Sequence, residues 1–177
     1  GSGNDVVTGG ALVDVLIGQG GADTLNGGVG RDQMSGGDGS DTYFADLFNE
    51  GVSETNAVLL TGGNDLVNFI GTSGTYTLAA NLERLTLGGT SAINGNGNSL
   101  ANTLIGNAAA NTITGNNRAN SLSGGGVDDV ILGGANNDIV DGDSGNDTVR
   151  GQDGNDIVMG GSGVDIRIGG LGNDTFP

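Results

Sequence analysis

No cysteine, histidine or lysine occurs anywhere in the chain. Without cysteine there is no disulfide to staple the fold, so another cross-link must take that part. Without histidine, cysteine or lysine no nucleophile–base pair can be assembled, and the chain is expected not to be an enzyme. Paired aspartates could in principle do glycosidase chemistry, but a repeat accounts for them here. Positive charge is scarce as well: five arginines stand against 21 acidic residues, for a net charge of −16. That balance argues against nucleic acid and against an anionic membrane surface as partners. No apolar run approaches the roughly 18 residues of a span, so no membrane insertion is expected, and no secretory signal is evident. Two tyrosines, four phenylalanines and no tryptophan cannot fill a conventional globular core. Low hydrophobicity, high negative charge and 39 glycines with entropy to lose form a profile for disorder unless the charge is neutralised.

What is present is a nine-residue rhythm. Asp5, Asp14, Asp23, Asp32 and Asp41 fall nine apart, and so do Asp129, Asp138, Asp147, Asp156, Asp165 and Asp174. Two residues after most of them stands a large apolar side chain: Val7, Leu16, Leu25, Met34, Tyr43, Ile131, Val140, Val149, Val158, Phe176. Glycines crowd the residues before each aspartate. The text reads G-G-x-G-x-D-x-U-x, with U apolar, and is complete over 27–35 and 36–44.

Each part of the nonapeptide has a physical reason. A strand alternates faces, so a three-residue x-U-x points only U inward. The remaining six residues must reverse the chain, and Gly28 and Gly30 can take positive φ there at no steric cost. Two nonapeptides then make one coil of a parallel solenoid. Turns on one edge come from alternate repeats, which stacks Asp5, Asp23 and Asp41 opposite Asp14 and Asp32. In the second block Asp129, Asp147 and Asp165 stack opposite Asp138, Asp156 and Asp174. Carboxylates at about 4.8 Å, the strand spacing, repel one another. A hard cation removes that repulsion, and calcium suits better than magnesium because it tolerates six to eight oxygens in loose geometry. Each coil needs to bury only a thin ladder of Val, Ile and Leu against its neighbours.

The nonapeptide resembles that of the RTX, or hemolysin-type, calcium-binding repeat proteins of bacteria. The resemblance implies an all-β fold, a right-handed parallel β-roll or β-solenoid with calcium bound in the turns. There each ion lies between neighbouring turns of one edge, held by both aspartates and by backbone carbonyls. Carried over, the pairs are Asp5/Asp23, Asp14/Asp32 and Asp23/Asp41, then Asp129/Asp147, Asp138/Asp156, Asp147/Asp165 and Asp156/Asp174. The carbonyls expected to contribute lie near Gly28, Gly30, Gly37, Gly39, Gly145, Gly154, Gly163 and Gly172. Up to about seven calcium ions would come close to offsetting the net charge of −16, and folding is expected to be coupled to them. The resemblance further implies a secreted, extracellular protein exported by a type I system.

The chain divides by phase. Residues 1–44 are a calcium-type block. Residues 45–96 lose the nine-residue phase and resemble the irregular β spacer of RTX multirepeat proteins. Within it Tyr76–Leu87 alternates well enough for strands, and Gly62-Gly63-Asn64-Asp65-Leu66-Val67 is the best isolated turn. Asp46, Glu50, Glu54 and Asp65 are read as solvated acidic loops rather than as added ligands. From Gly97 the phase returns. Over 97–122 Asn102, Asn111 and Asn120 take the aspartate position, with Leu104, Ile113 and Leu122 as U. A carboxamide both donates and accepts, so this stretch is expected to be Asn-laddered and calcium-free. Residues 123–177 are calcium-type again. The closure Asp41-Thr42-Tyr43-Phe44 is echoed by Asp174-Thr175-Phe176, which suggests a super-repeat and a larger parent chain.

Four positions depart from the pattern. Leu12 and Val127 stand where the third glycine belongs, which makes sites using Asp14 or Asp129 doubtful, because a bulky residue at positive φ is costly. Asn136 in the same place tolerates that conformation better. Arg167 occupies an inward apolar position. It could be turned outward by a one-residue slip, could reach water at the end of the roll, or could leave Ile166 and Ile168 as a contact surface.

The leading reading is a calcium-binding structural module, a spacer or folding trigger in a larger secreted protein. A carbohydrate-binding module for acidic polysaccharide, like the repeats attached to mannuronan epimerases, is the alternative. Arg31, Arg84, Arg118, Arg150 and Arg167 are too scattered to make an obvious basic face for it. Ice binding, known for some RTX adhesin repeats, would need outward rows of Thr or Asn. Ser144, Asp153, Ser162 and Leu171 give no threonine row, and Asn137, Asn146, Asn155 and Asn173 give only a partial one, broken by Val164.

Overall fold

Period-two alternation of burial recurs in most of the described strands, including Leu66–Phe69 and Arg84–Leu87 in the stretch without nine-residue phase. The computed structural model describes residues 1–54 and 63–177; Gly62 of the isolated turn lies outside the described residues. The first strands are β1 (Val6–Gly10), β2 (Val15–Gly20), β3 (Thr24–Gly28), β4 (Gln33–Asp38), β5 (Thr42–Ala45) and β6 (Gly51–Ser53). Next come β7 (Leu66–Phe69), β8 (Gly74–Thr77), β9 (Arg84–Leu87), β10 (Ile93–Asn96), β11 (Thr103–Ile105) and β12 (Thr112–Asn116). The last are β13 (Ser121–Gly126), β14 (Val130–Ala135), β15 (Ile139–Ser144), β16 (Thr148–Asp153), β17 (Ile157–Met159) and β18 (Ile166–Leu171). No helix occurs among the described residues.

Odd-numbered strands from β1 to β17 form one nine-stranded sheet. Even-numbered strands form the other wall, as β2-β4-β6 and then β8 through β18. Every pairing is parallel, for example Leu25↔Tyr43 and Ile131↔Val149. The molecule is therefore a parallel β-solenoid of about nine coils. Two nonapeptides make one coil wherever the phase holds.

Most strands of the repeats are longer than the three residues x-U-x. In β2 the buried residues are Leu16 and Gly18, so the first glycine of the next repeat takes a second inward position. The apolar ladder runs through Leu25, Tyr43, Val67, Leu85, Leu104, Leu122, Val140 and Val158 on one wall, all buried. On the other wall Ile113, Ile131 and Val149 continue it.

The described residues of 45–96 are built into the same two walls. Thr42 pairs with Leu66, so the coil between β5 and β7 carries six residues more than an ordinary one. Aromatic rings gather beside it: buried Phe69 lies 4.7 Å from the exposed Phe48 and 4.6 Å from the buried Tyr76 between centroids. Gly95 pairs with Tyr76 in the inward column, so a ring faces the smallest residue.

At the far end Val149 pairs with Arg167, so the register continues and no slip occurs. Arg167 is exposed, its Nη1 donates to the Pro177 carbonyl at 3.0 Å, and its guanidinium lies 5.9 Å from the Phe176 ring centroid. Its guanidinium is thereby kept at the surface although its register position belongs to the inward column.

The two misplaced bulky residues behave differently. Leu12 is not among the residues with positive φ, whereas Val127 sits at φ 59° and Asn136 at 73°. A β-branched residue in the left-handed region costs on the order of 1–3 kcal/mol. Val127→Gly is expected to stabilise the calcium-loaded chain by about 1 kcal/mol after the entropy cost of glycine. Thermal melts would check it, and an unchanged or lower midpoint would show that Val127 carries no strain.

Candidate metal centre

The first glycine of each repeat explains where the aspartate side chain goes. Being inward and without a Cβ, it leaves a hollow into which the carboxylate five residues later turns. A Cβ on Gly133 would stand 2.6 Å from Asp138 Oδ2 and 2.6 Å from the Gly151 carbonyl oxygen of the next coil. Gly18, Gly27, Gly124, Gly142 and Gly151 are crowded by their aspartates in the same way.

Each aspartate is anchored by one oxygen only. The Asp5 N–H donates to Asp23 Oδ1 at 2.8 Å, and the Asp23 N–H to Asp41 Oδ1 at 2.7 Å. The same bond joins Asp14 to Asp32, Asp129 to Asp147, Asp147 to Asp165, Asp138 to Asp156 and Asp156 to Asp174. All seven pairs expected from the sequence are thus brought together. The second oxygen is different. Oδ2 of Asp23, Asp32, Asp41, Asp129, Asp138, Asp147 and Asp156 is buried with no hydrogen-bond partner. Asp5, Asp14, Asp165 and Asp174, on the end coils, are only half-buried.

The carbonyl oxygens beside these free carboxylate oxygens belong to the first glycines, such as Gly36, Gly142, Gly151 and Gly160. The third glycines Gly30, Gly39, Gly145, Gly154, Gly163 and Gly172, together with Gly28 and Gly37, sit at positive φ and stack directly on the backbone of the preceding coil. The hollow beside first glycines such as Gly133 and Gly142 is thus lined by a carbonyl oxygen and by a carboxylate oxygen that has no hydrogen-bond partner. A buried carboxylate is costly unless paired, and an all-oxygen, donor-free hollow is what a hard cation requires. The residues fit calcium.

The columns also collect residues that the nonapeptide does not announce. The Asp41 N–H donates to Asp65 Oδ1 at 2.7 Å, and the Asp65 N–H to Glu83 Oε2 at 2.9 Å. The column then resumes as Asn102, Asn120, Asp138, so one row runs through both blocks. The signal was an acidic residue two before an apolar one: Asp65 before Val67, and Glu83 before Leu85. Asp65, Glu50 and Glu54 are buried at 1%, 9% and 7% exposure, which corrects their reading as solvated loops.

In the asparagine rows the second side-chain atom is a donor. Asn102 Nδ2 donates to the Leu82 carbonyl at 3.1 Å, and Asn111 Nδ2 to the Ile93 carbonyl at 2.6 Å. A second asparagine four residues earlier adds donors. Asn116 Nδ2 reaches the Leu100 carbonyl, Asn102 Oδ1 and Asn120 Oδ1 at 2.7, 3.0 and 3.2 Å. The outward asparagines are also committed to the backbone. Asn137 Oδ1 accepts the Asn155 N–H, and Asn146 Oδ1 the Val164 N–H.

Electrostatics agree with the geometry. Burial pushes Asp129 and Asp138 from 3.8 up to about 6, against backbone hydrogen bonds that lower them. Burial likewise raises Asp65 and Glu50 to about 7 and Glu54 to about 8, with neighbouring carboxylates adding to it. A carboxyl held above its unfolded value favours the fold while protonated and loses that contribution as pH rises through the folded value. In chelator, the β signal in circular dichroism is therefore expected to be larger near pH 5 than near pH 8. A flat or opposite profile in chelator would contradict the burial of these groups.

A family model for the RTX calcium-binding nonapeptide repeat (4 copies) matches residues 1–11, 8–43, 96–131, 114–149 and 141–176. No curated protein matches the chain.

Proposed function

Because this chain belongs to the RTX calcium-binding nonapeptide-repeat family, whose repeats bind calcium, we propose that it is a structural module of a larger secreted bacterial protein, folding when calcium is supplied outside the cell. The observation that carries this reading is the row of buried carboxylate oxygens without a donor. A chain of net charge −16 cannot bury them cheaply until cations arrive. The ligands are Asp5, Asp14, Asp23, Asp32 and Asp41, then Asp129, Asp138, Asp147, Asp156, Asp165 and Asp174, with first-glycine carbonyls beside them. The Asn-laddered stretch over 97–122 needs no ion, since its amides already supply the donors.

The module acts as a spacer or folding trigger and not as a catalyst. No helix among the described residues is long and apolar enough to cross a membrane. Arg31, Arg84, Arg118, Arg150 and Arg167 are spread from the turn before β4 to β18, an arrangement that gives acidic polysaccharide no continuous basic face, so that alternative is not preferred.

The test is far-UV circular dichroism during calcium titration from a chelated start, with magnesium as control. A cooperative gain of β signal with calcium alone is expected. Full β signal in chelator would overturn calcium-coupled folding. Asp147→Asn is expected to cost up to about two ions in equilibrium dialysis, because Asp147 serves the sites with Asp129 and with Asp165. An unchanged ion count would remove Asp147 from the ligand set.

A further inference from the structure

The free carboxylate oxygens do not stop where the nonapeptide stops. Asp41 closes the first block, Asp65 follows it in the column, and Glu54 comes from just after β6. One oxygen of each is anchored. Asp41 Oδ1 accepts the Asp23 N–H at 2.7 Å, Asp65 Oδ1 the Asp41 N–H at 2.7 Å, and Glu54 Oε2 the Gly37 N–H at 3.2 Å. The other oxygens, Asp41 Oδ2, Asp65 Oδ2 and Glu54 Oε1, are all buried and all without a partner. Ligand atoms of the three groups lie within 4.8 Å of one another.

We propose that Asp41, Glu54 and Asp65 bind a further divalent cation, calcium by its chemistry, at a site that the nonapeptide does not encode. The inference rests on the calcium-module reading and extends it. Glu54 and Asp65 fall in the part of the chain that the family match leaves uncovered. The ligands come from two connections, Asp41 from that between β4 and β5 and Glu54 and Asp65 from the two ends of that between β6 and β7, which favours an ion tolerant of irregular oxygen geometry over one that demands an octahedron. Three converging carboxylates without a neighbouring cation repel one another, and burial has removed the water that would screen them. The glutamate has the extra methylene needed to reach the column from outside the repeat. Bound there, the ion ties the long coil between β5 and β7 to the end of the first block, where the regular turns lapse.

Equilibrium dialysis of calcium against the full chain tests the site. Glu54→Gln removes the charge and is expected to leave the chain one ion short of the unaltered protein, with its calcium-loaded β signal retained. Glu54→Asp keeps the charge but withdraws it by one methylene, and is expected to weaken one site by about tenfold or more. Should Glu54→Gln fail to fold in calcium, Glu54→Asp alone decides. Unchanged number and affinity in the variants would overturn this site and leave the repeat sites standing. An unaltered chain that binds no calcium would overturn both.

Discussion

A carboxylate has two oxygens, and the turns of this solenoid can satisfy only one of them. The backbone N–H of the aspartate one coil away reaches Oδ1, and Oδ2 is left facing a glycine carbonyl inside the roll. Everything else about the edges is arranged around that geometry. The first glycine must lack a side chain because the carboxylate fills its place. The coils must stay in register because each aspartate holds its neighbour. The acidic excess is tolerable only if something positive enters between the coils.

The asparagine segment shows the same geometry with the opposite solution. Asn102, Asn111 and Asn120 occupy the aspartate columns and keep the Oδ1 side of the arrangement, as in the Asn102 N–H to Asn120 Oδ1 bond at 3.0 Å. Their second atom is a nitrogen carrying two donors, and it finds carbonyls where an aspartate would present a lone pair. The exchange of one atom type replaces an oxygen without a hydrogen-bond partner by a nitrogen whose donors are used. The roll thus alternates between two ways of balancing the same row of acceptors, without interrupting the apolar ladder of Leu85, Leu104, Leu122 and Val140.

Stretches that lack the repeat still obey the coil. The connection after β6 is longer, buried Phe69 and Tyr76 stack near it with Phe48 exposed beside them, and Ile93 fills the position that carries an asparagine or aspartate in later coils. Arg167 makes the converse point: the register places it in an apolar column, and its exposed head is held by the Pro177 carbonyl.

The nonapeptide by itself determined the parallel coil, its two-repeat length, the inward apolar row and the pairing of aspartates across neighbouring turns. These follow from period two along a strand and period nine along the chain, both of which are properties of order alone. Only the tertiary structure decided which oxygens are satisfied, that the first glycines supply the carbonyls beside the free ones, and that Glu54 and Asp65 are buried against Asp41. Those outcomes depend on where a long connection lands on the coil it returns to. Once the nine-residue period lapses, spacing no longer specifies which groups become neighbours, and burial against the adjacent coil settles it.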